Sequence, residues 1–298
     1  KTRKLTLIFA LSTLACSVFG QDYTFKVLAN KGSNEVKSGE TWQPLKTGAS
    51  LRDTDEIKLS DNSYIGLVHA SGRPLEVKKA GNYTVKTLAS QMSGGSSVLN
   101  KYTDFILSSN SAEAKKNRLS ATGAVHRATE NAALTLIFPD KNKPEVYNTI
   151  AIVNWEDAKA SGPYVVSILN LFEEEIMKIE TPEKTVKIDL ADPKLAGESN
   201  LLVEVYSKAD KKVASKQHMI KRMSASEKEK VKKSLGEISG EVTEPTALNK
   251  LLLAGFYEEK NLIIDAIASY EEAIQLAPDV PTFKEAYDEF LLRQNLKK

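Results

Sequence analysis

Short runs in which apolar and polar residues alternate occupy the first third of the chain, at Tyr23 to Leu28, Glu56 to Leu59, Tyr64 to His69, Leu75 to Val77 and Tyr83 to Leu88. A period of two sends successive side chains to opposite faces of a strand, and clusters rich in Gly, Asn, Asp, Ser and Lys at 30–34, 46–48, 60–62 and 71–74 predict tight turns between them. A small all-β unit over residues 22–90 follows. Beyond a Gly/Ser stretch at 91–97, Val98, Tyr102, Phe105 and Ile106 recur at helical spacing and predict one amphipathic helix from about Ser97 to Ser109. The polar stretch 111–122 predicts little regular structure beyond a weak helix. The strand period returns at Leu134 to Phe138, Thr149 to Trp155, Tyr164 to Leu169, Ile176 to Ile179, Val186 to Leu190, Leu201 to Ser207 and Val213 to Arg222.

The last quarter changes period again. Ser224 and Glu227 have the spacing of a capping box and open a highly charged helix reaching about Ile238. Leu253, Ala254 and Tyr257 share one face of a helix from about Thr246 to Glu259, and Ala266, Tyr270 and Ala273 share the facing side of the next. Pro278 stops that helix because it has no N–H to donate, and Pro281 opens a third. The chain is therefore expected to be multidomain, mainly β with a C-terminal α-helical domain. Its units are 22–90 (β), 91–130 (helix and polar linker), 131–223 (β) and 224–298 (helical).

Charge and cysteine content narrow the setting. Lys1, Arg3 and Lys4 precede an apolar run from Leu5 to Ala15 that ends in Ser17, Val18, Phe19 and Gly20, the plan of a secretory signal peptide over 1–20. The run is shorter than the roughly 20 residues a membrane span needs. Cleavage after Gly20 would leave a mature chain from Gln21 with no cysteine, since Cys16 is the only one. Leu14, Ala15 and Cys16 also fit a lipid-attachment box, although Thr13 stands where Leu or Val is preferred. Lysine plus arginine number 41 against 39 acidic residues. Loss of the three basic residues of the leader gives 38 against 39, a charge near minus one that offers nothing to nucleic acid.

The order Gly39, Trp42, Pro44, Leu45, Gly48, Leu51, Asp55, Ile57, Ser63, Leu67, Gly72 and Leu75 resembles the FecR-type periplasmic β-domain. Members of that family sense an outer-membrane transporter and signal inward, so the resemblance implies an exported, periplasmic module of a Gram-negative envelope. Seven short strands within 131–223, with Trp155 closing an early one, resemble a fibronectin type III or immunoglobulin sandwich without its disulfide. Leu253, Ala254, Tyr257, Ala266, Tyr270, Ala273 and Pro278 resemble one tetratricopeptide unit. Each resemblance implies a binding or spacer module.

One tetratricopeptide unit cannot bury both of its faces. Either the charged helix before it and Phe283, Tyr287, Phe290 and Leu291 after it cap the hairpin, or the hairpin completes its stack on another protein. Tyr257, Tyr270, Phe283 and Tyr287 are accordingly candidate partner-binding residues, together with Trp42, which either binds or covers an edge of its own core. His69, His126 and His218 stand alone, without zinc spacing, and no nucleophile elbow, phosphate loop or calcium loop occurs. Glu173, Glu174 and Glu175 form an acidic turn between Leu171 and Ile176, and Lys228, Lys230, Lys232 and Lys233 a basic run interleaved with Glu227 and Glu229; both are expected to be solvated. No catalytic, metal or cofactor-binding residue is expected. The pattern leads to an exported non-enzymatic scaffold or adaptor with an envelope protein as partner. The alternatives are a carbohydrate- or peptidoglycan-binding envelope protein and a component of a FecR-like signalling system.

Overall fold

A computed structural model describes residues 23–92, 94–95, 97–121, 133–139, 143–158 and 161–297. The expected leader over 1–20, with Cys16, and the linker residues 122–130, with His126, lie outside the described residues. The first module contains β1 (Phe25–Lys31), β2 (Glu35–Ser38), β3 (Thr41–Pro44), β4 (Ser50–Leu51), β5 (Glu56–Leu59), β6 (Tyr64–His69), β7 (Pro74–Val77) and β8 (Gly81–Thr84). They form two antiparallel sheets, β4-β1-β6-β7 and β3-β2-β5-β8. Phe25, Val27, Leu51, Ile57, Leu59, Ile65 and Leu67 fill the space between them. The run from Tyr83 to Leu88, expected as a strand, breaks after Thr84. The Thr84 hydroxyl accepts the backbone N–H of Thr87, which caps helix α1 (Val85–Ser90) and turns Val85 and Leu88, three apart, into the core. Strand β3 lacks any alternation because all four of its residues are exposed at a sheet edge, where Pro44 is tolerated.

The second module contains β9 (Leu134–Ile137), β10 (Glu145–Val146), β11 (Ile150–Asp157), β12 (Tyr164–Leu169), β13 (Glu175–Thr181), β14 (Thr185–Asp189), β15 (Asn200–Ser207) and β16 (His218–Arg222). Sheets β10-β16-β15-β12-β13 and β14-β11-β9 enclose Trp155, whose ring meets Tyr164 edge-on with centroids 5.4 Å apart. All seven expected runs contribute strands. The last is interrupted, with an isolated bridge from Ala214 to Tyr206 before β16 begins. Strand β10, two residues long and parallel to the end of β16, is too short to show a period.

The helices are α2 (Val98–Ser109), α3 (Ala112–Ala121), α4 (Ala225–Ser239), α5 (Ala247–Glu259), α6 (Ile263–Leu276) and α7 (Pro281–Arg293). The capping box at Ser224 and Glu227 is present, and Pro281 stands at the start of α7. Four helices thus form the C-terminal region. They do not close a core of their own. Leu28, Ala29, Tyr64 and Val68 of the first module, Ile152 of the second and Leu99, Tyr102 and Ile106 of α2 belong to the same apolar cluster as α5, α6 and α7. Ile264 of α6 reaches into the core of the second sandwich. Helix α2 lies between the first module and α5. Asn100 Nδ2 donates to the Ala70 carbonyl at 2.6 Å, while Tyr102 meets Phe256 edge-on at 5.5 Å.

Gly255 sets the α2–α5 distance. A Cβ there would lie 2.9 Å from Ile106 Cδ1 and 3.0 Å from its Cγ1. Gly255→Leu should destabilise the protein by about 1–3 kcal/mol through overpacking. Adding Ile106→Ala should recover part of that loss, as read by urea denaturation of the single and double variants. Additive losses would show that α2 does not pack on this glycine.

Candidate functional site

Polar side chains are concentrated where helices meet β-modules. At the centre, Arg293 of α7 donates from Nε to Glu258 Oε1 and from Nη2 to Glu258 Oε2, each at 3.0 Å, and the Tyr270 hydroxyl donates to Oε2 at 3.2 Å. The Glu258 side chain is only 4% exposed. Arg293 Nη1 also donates to Asn110 Oδ1 at 2.9 Å, which ties the end of α2 to the pair. Against the second module, the backbone N–H groups of Tyr147 and Asn148 donate to the two oxygens of Asp265 at 2.9 and 2.8 Å. Asn154 Nδ2 donates to Glu271 at 2.6 Å and to the Tyr287 hydroxyl at 3.1 Å. Against the first module, Glu76 Oε1 accepts the Tyr64 hydroxyl at 2.7 Å and the Leu248 N–H at 2.8 Å.

Burial pushes the Asp265 carboxyl up to about 6, against the opposing pull of the two N–H donors. Burial likewise raises Glu271. At Glu76, burial is outweighed by Lys78, the Leu248 N–H and Tyr64, and its carboxyl falls below the usual range. These carboxylates are engaged by fixed donors from neighbouring modules, so their chemistry is that of clamps.

The sequence-derived candidates separate into two groups. Tyr257, Tyr270, Phe283 and Tyr287 are all buried by the chain itself. Tyr257 accepts from Asn148 Nδ2 at 3.0 Å, Tyr270 stacks on Tyr287 at 5.6 Å, and Phe283 meets Tyr64 edge-on at 5.7 Å. In this conformation the helical face expected to accept another protein is covered by the β-modules and α2. Trp42 differs, being 38% exposed. It is directly opposite Lys37, with Glu56 and Thr84 continuing the row across the same face.

The Nδ1 atom of His69 accepts the Ser71 N–H at 3.1 Å, and His218 Nδ1 lies 3.0 Å from the Pro139 carbonyl; each ring sits edge-on to a phenylalanine. Among the described residues, no group of three His, Cys, Asp or Glu side chains is placed to hold a metal. A cavity of about 340 Å³ opens where Leu28, Ile106 and Ala286 meet Lys115, Glu285 and Glu289. Sequence reasoning passed over Leu171 and Phe172, which are 51% and 85% exposed. Their signal was visible as two large apolar residues inside an otherwise polar hairpin turn. The sequence matches no known protein-family profile and no curated protein.

Asp265 makes the joint between α6 and the second module sensitive to pH. Its folded-state carboxyl binds a proton more tightly than in the unfolded chain, so the associated stability is full at low pH and is lost as pH rises through about 6. The stability difference between the native protein and Asp265→Asn should therefore shift by on the order of 2 kcal/mol between pH 4 and pH 7, toward the variant at the higher pH. Paired denaturant titrations across that range provide the check, and a flat difference would mean that Asp265 is ionised throughout.

Proposed function

We propose that this chain is an exported, non-enzymatic scaffold of the bacterial cell envelope, in which a FecR-like β-domain, a fibronectin-like sandwich and a tetratricopeptide-like helical end are locked together to present surfaces to an envelope protein. The observation that carries the reading is the burial of the helical aromatics by the chain's own modules. It gives a jointed set of domains the character of one body, which is what an adaptor holding a partner at a set position requires. With the aromatics of α5–α7 covered, we assign the binding surface to the exposed edges of the β-modules. No helix among the described residues is long and apolar enough to cross a membrane.

Removing the helices to test this would strip both modules of their shared core, so point variants on an intact chain are the proper probe. A photo-crosslinker placed in living cells at residue 42 of the full chain should capture a specific envelope protein, identified by mass spectrometry. The same group at position 270 should capture nothing. Substrate turnover by the purified protein, abolished by a single side-chain change, would replace the scaffold with an enzyme.

One feature favours a second reading, a glycan-binding surface. Trp42 offers an exposed aromatic face beside the charged and hydroxyl-bearing side chains of Lys37, Glu56 and Thr84. Sugars stack on such rings while hydrogen bonding to flanking polar groups. Under that reading Trp42→Ala should reduce co-sedimentation with purified cell wall by about tenfold, equivalent to about 1.4 kcal/mol. Under the scaffold reading sedimentation stays at background for both proteins.

A further inference from the structure

The β12–β13 hairpin ends in a tip built to hold two apolar side chains in water. Asn170 Oδ1 accepts the backbone N–H groups of Phe172 and Glu174 at 2.9 and 3.0 Å, and Asn170 Nδ2 donates to Glu174 Oε2 at 2.8 Å. The Asn170 N–H donates to the Glu174 carbonyl at 3.0 Å and the Glu173 N–H to the Asn170 carbonyl at 3.1 Å. Glu173 adopts φ of 63°, the left-handed turn that closes the loop. This bracing fixes the backbone that carries Leu171 and Phe172, so little backbone entropy is left to lose when they make contact. Glu173 and Glu174 give the tip its charge, while Glu175 is already occupied by Lys178 at 2.8 Å and Ser167 at 2.9 Å.

A complementary surface stands at the same end of the sheet. Leu169, at the end of β12, pairs with Leu202, and Asn200, at the start of β15, pairs with Lys221 near the end of β16. The hairpin tip and the start of α4 therefore leave the sandwich at one end, on strands separated by β15. The exposed face of α4 carries a shallow depression, open to solvent, between the side chains of Ser226, Glu229, Lys230, Lys232 and Lys233. Lys232 is engaged with Glu229 at 3.7 Å, whereas Lys230 and Lys233 form no ion pair among the described residues.

We propose that this end of the sandwich is a self-association surface, with the Leu171–Phe172 tip of one copy seated in the lysine-lined depression on α4 of a second copy. An acidic apolar tip and a basic depression on one molecule are what a two-fold dimer needs, because the two contacts form reciprocally. The apolar residues supply burial. Glu173 and Glu174 against Lys230 and Lys233 fix the orientation and set the encounter rate. The acidic flanks make a lipid bilayer of anionic headgroups the wrong occupant for the same tip.

The test uses the full purified chain and needs no other partner. Sedimentation velocity should show a dimer that weakens as salt is raised. Phe172→Asp, the double variant Glu173→Lys with Glu174→Lys, and the double variant Lys230→Glu with Lys233→Glu should each raise the dimer Kd by at least about tenfold. All of these positions are on the surface, so unchanged circular dichroism verifies folding. Mixing the two charge-reversed proteins should restore dimers, since every tip then meets a depression of opposite sign. A chain that stays monomeric at about 0.1 mM, weaker than any specific interface of ordinary affinity, would overturn the proposal. So would a dimer indifferent to Phe172→Asp, or charge reversals that do not rescue each other. The result bears only on this surface and is independent of whether an envelope partner exists.

Discussion

Helices α5 and α6 have almost no solvent side, and the rest of the molecule is arranged around that constraint. Ten of the thirteen residues of α5 and nine of the fourteen of α6 are buried. A helix apolar over most of its circumference must be enclosed, and two antiparallel helices can shield only one face of each other. Helix α2 supplies a cover for α5 from one side and α7 for α6 from another. The two sandwiches complete the enclosure, contributing Leu28, Tyr64 and Val68 from the first and Ile152 from the second. The β-modules thus serve the helices as walls, and the helices serve the modules as a common floor.

Within this enclosure the polar contacts act on geometry more than on strength. A buried ion pair such as Glu258–Arg293 loses in desolvation much of what it gains in attraction, and a well-packed apolar replacement is often as stable. Its bidentate form, with Tyr270 and Asn110 as further partners, admits one mutual arrangement of α5, α6, α7 and the end of α2. Asp265 does the same between α6 and the loop holding Tyr147 and Asn148, since two backbone donors can satisfy its oxygens in only one register. Apolar burial holds the modules together, and these contacts select how.

Most of this fold was legible locally. Alternation located Glu56–Leu59, Tyr64–His69 and Tyr164–Leu169 to the residue, and the Ser224 capping box and Pro281 marked two helix starts. The failures have a shared cause. Strands β3, β4 and β10 are too short or too exposed to carry a period, and the switch at Thr84 depends on a single capping hydroxyl. The binding residues were the harder case. Tyr257, Tyr270, Phe283 and Tyr287 look alike in sequence whether they face another protein or this one, because the chemistry of the two environments is the same. Only the long-range arrangement distinguishes them. Trp42 and Phe172 stand out for the opposite reason, as large apolar groups left outside once the enclosure is complete.

The covering of one end of the chain by the other also governs how the molecule can be built. Asn30 contacts Thr282 and Lys31 pairs with Asp279, contacts that span 252 and 248 residues, while Glu76 waits for Leu248, 172 residues later. Contacts of such separation form late and slowly because the loop between them must first be closed. During synthesis both sandwiches are complete while Leu28, Tyr64 and Ile152 still face water. The chain therefore passes through a stage with sticky, half-finished walls, and its last three helices convert that aggregation-prone intermediate into the finished protein.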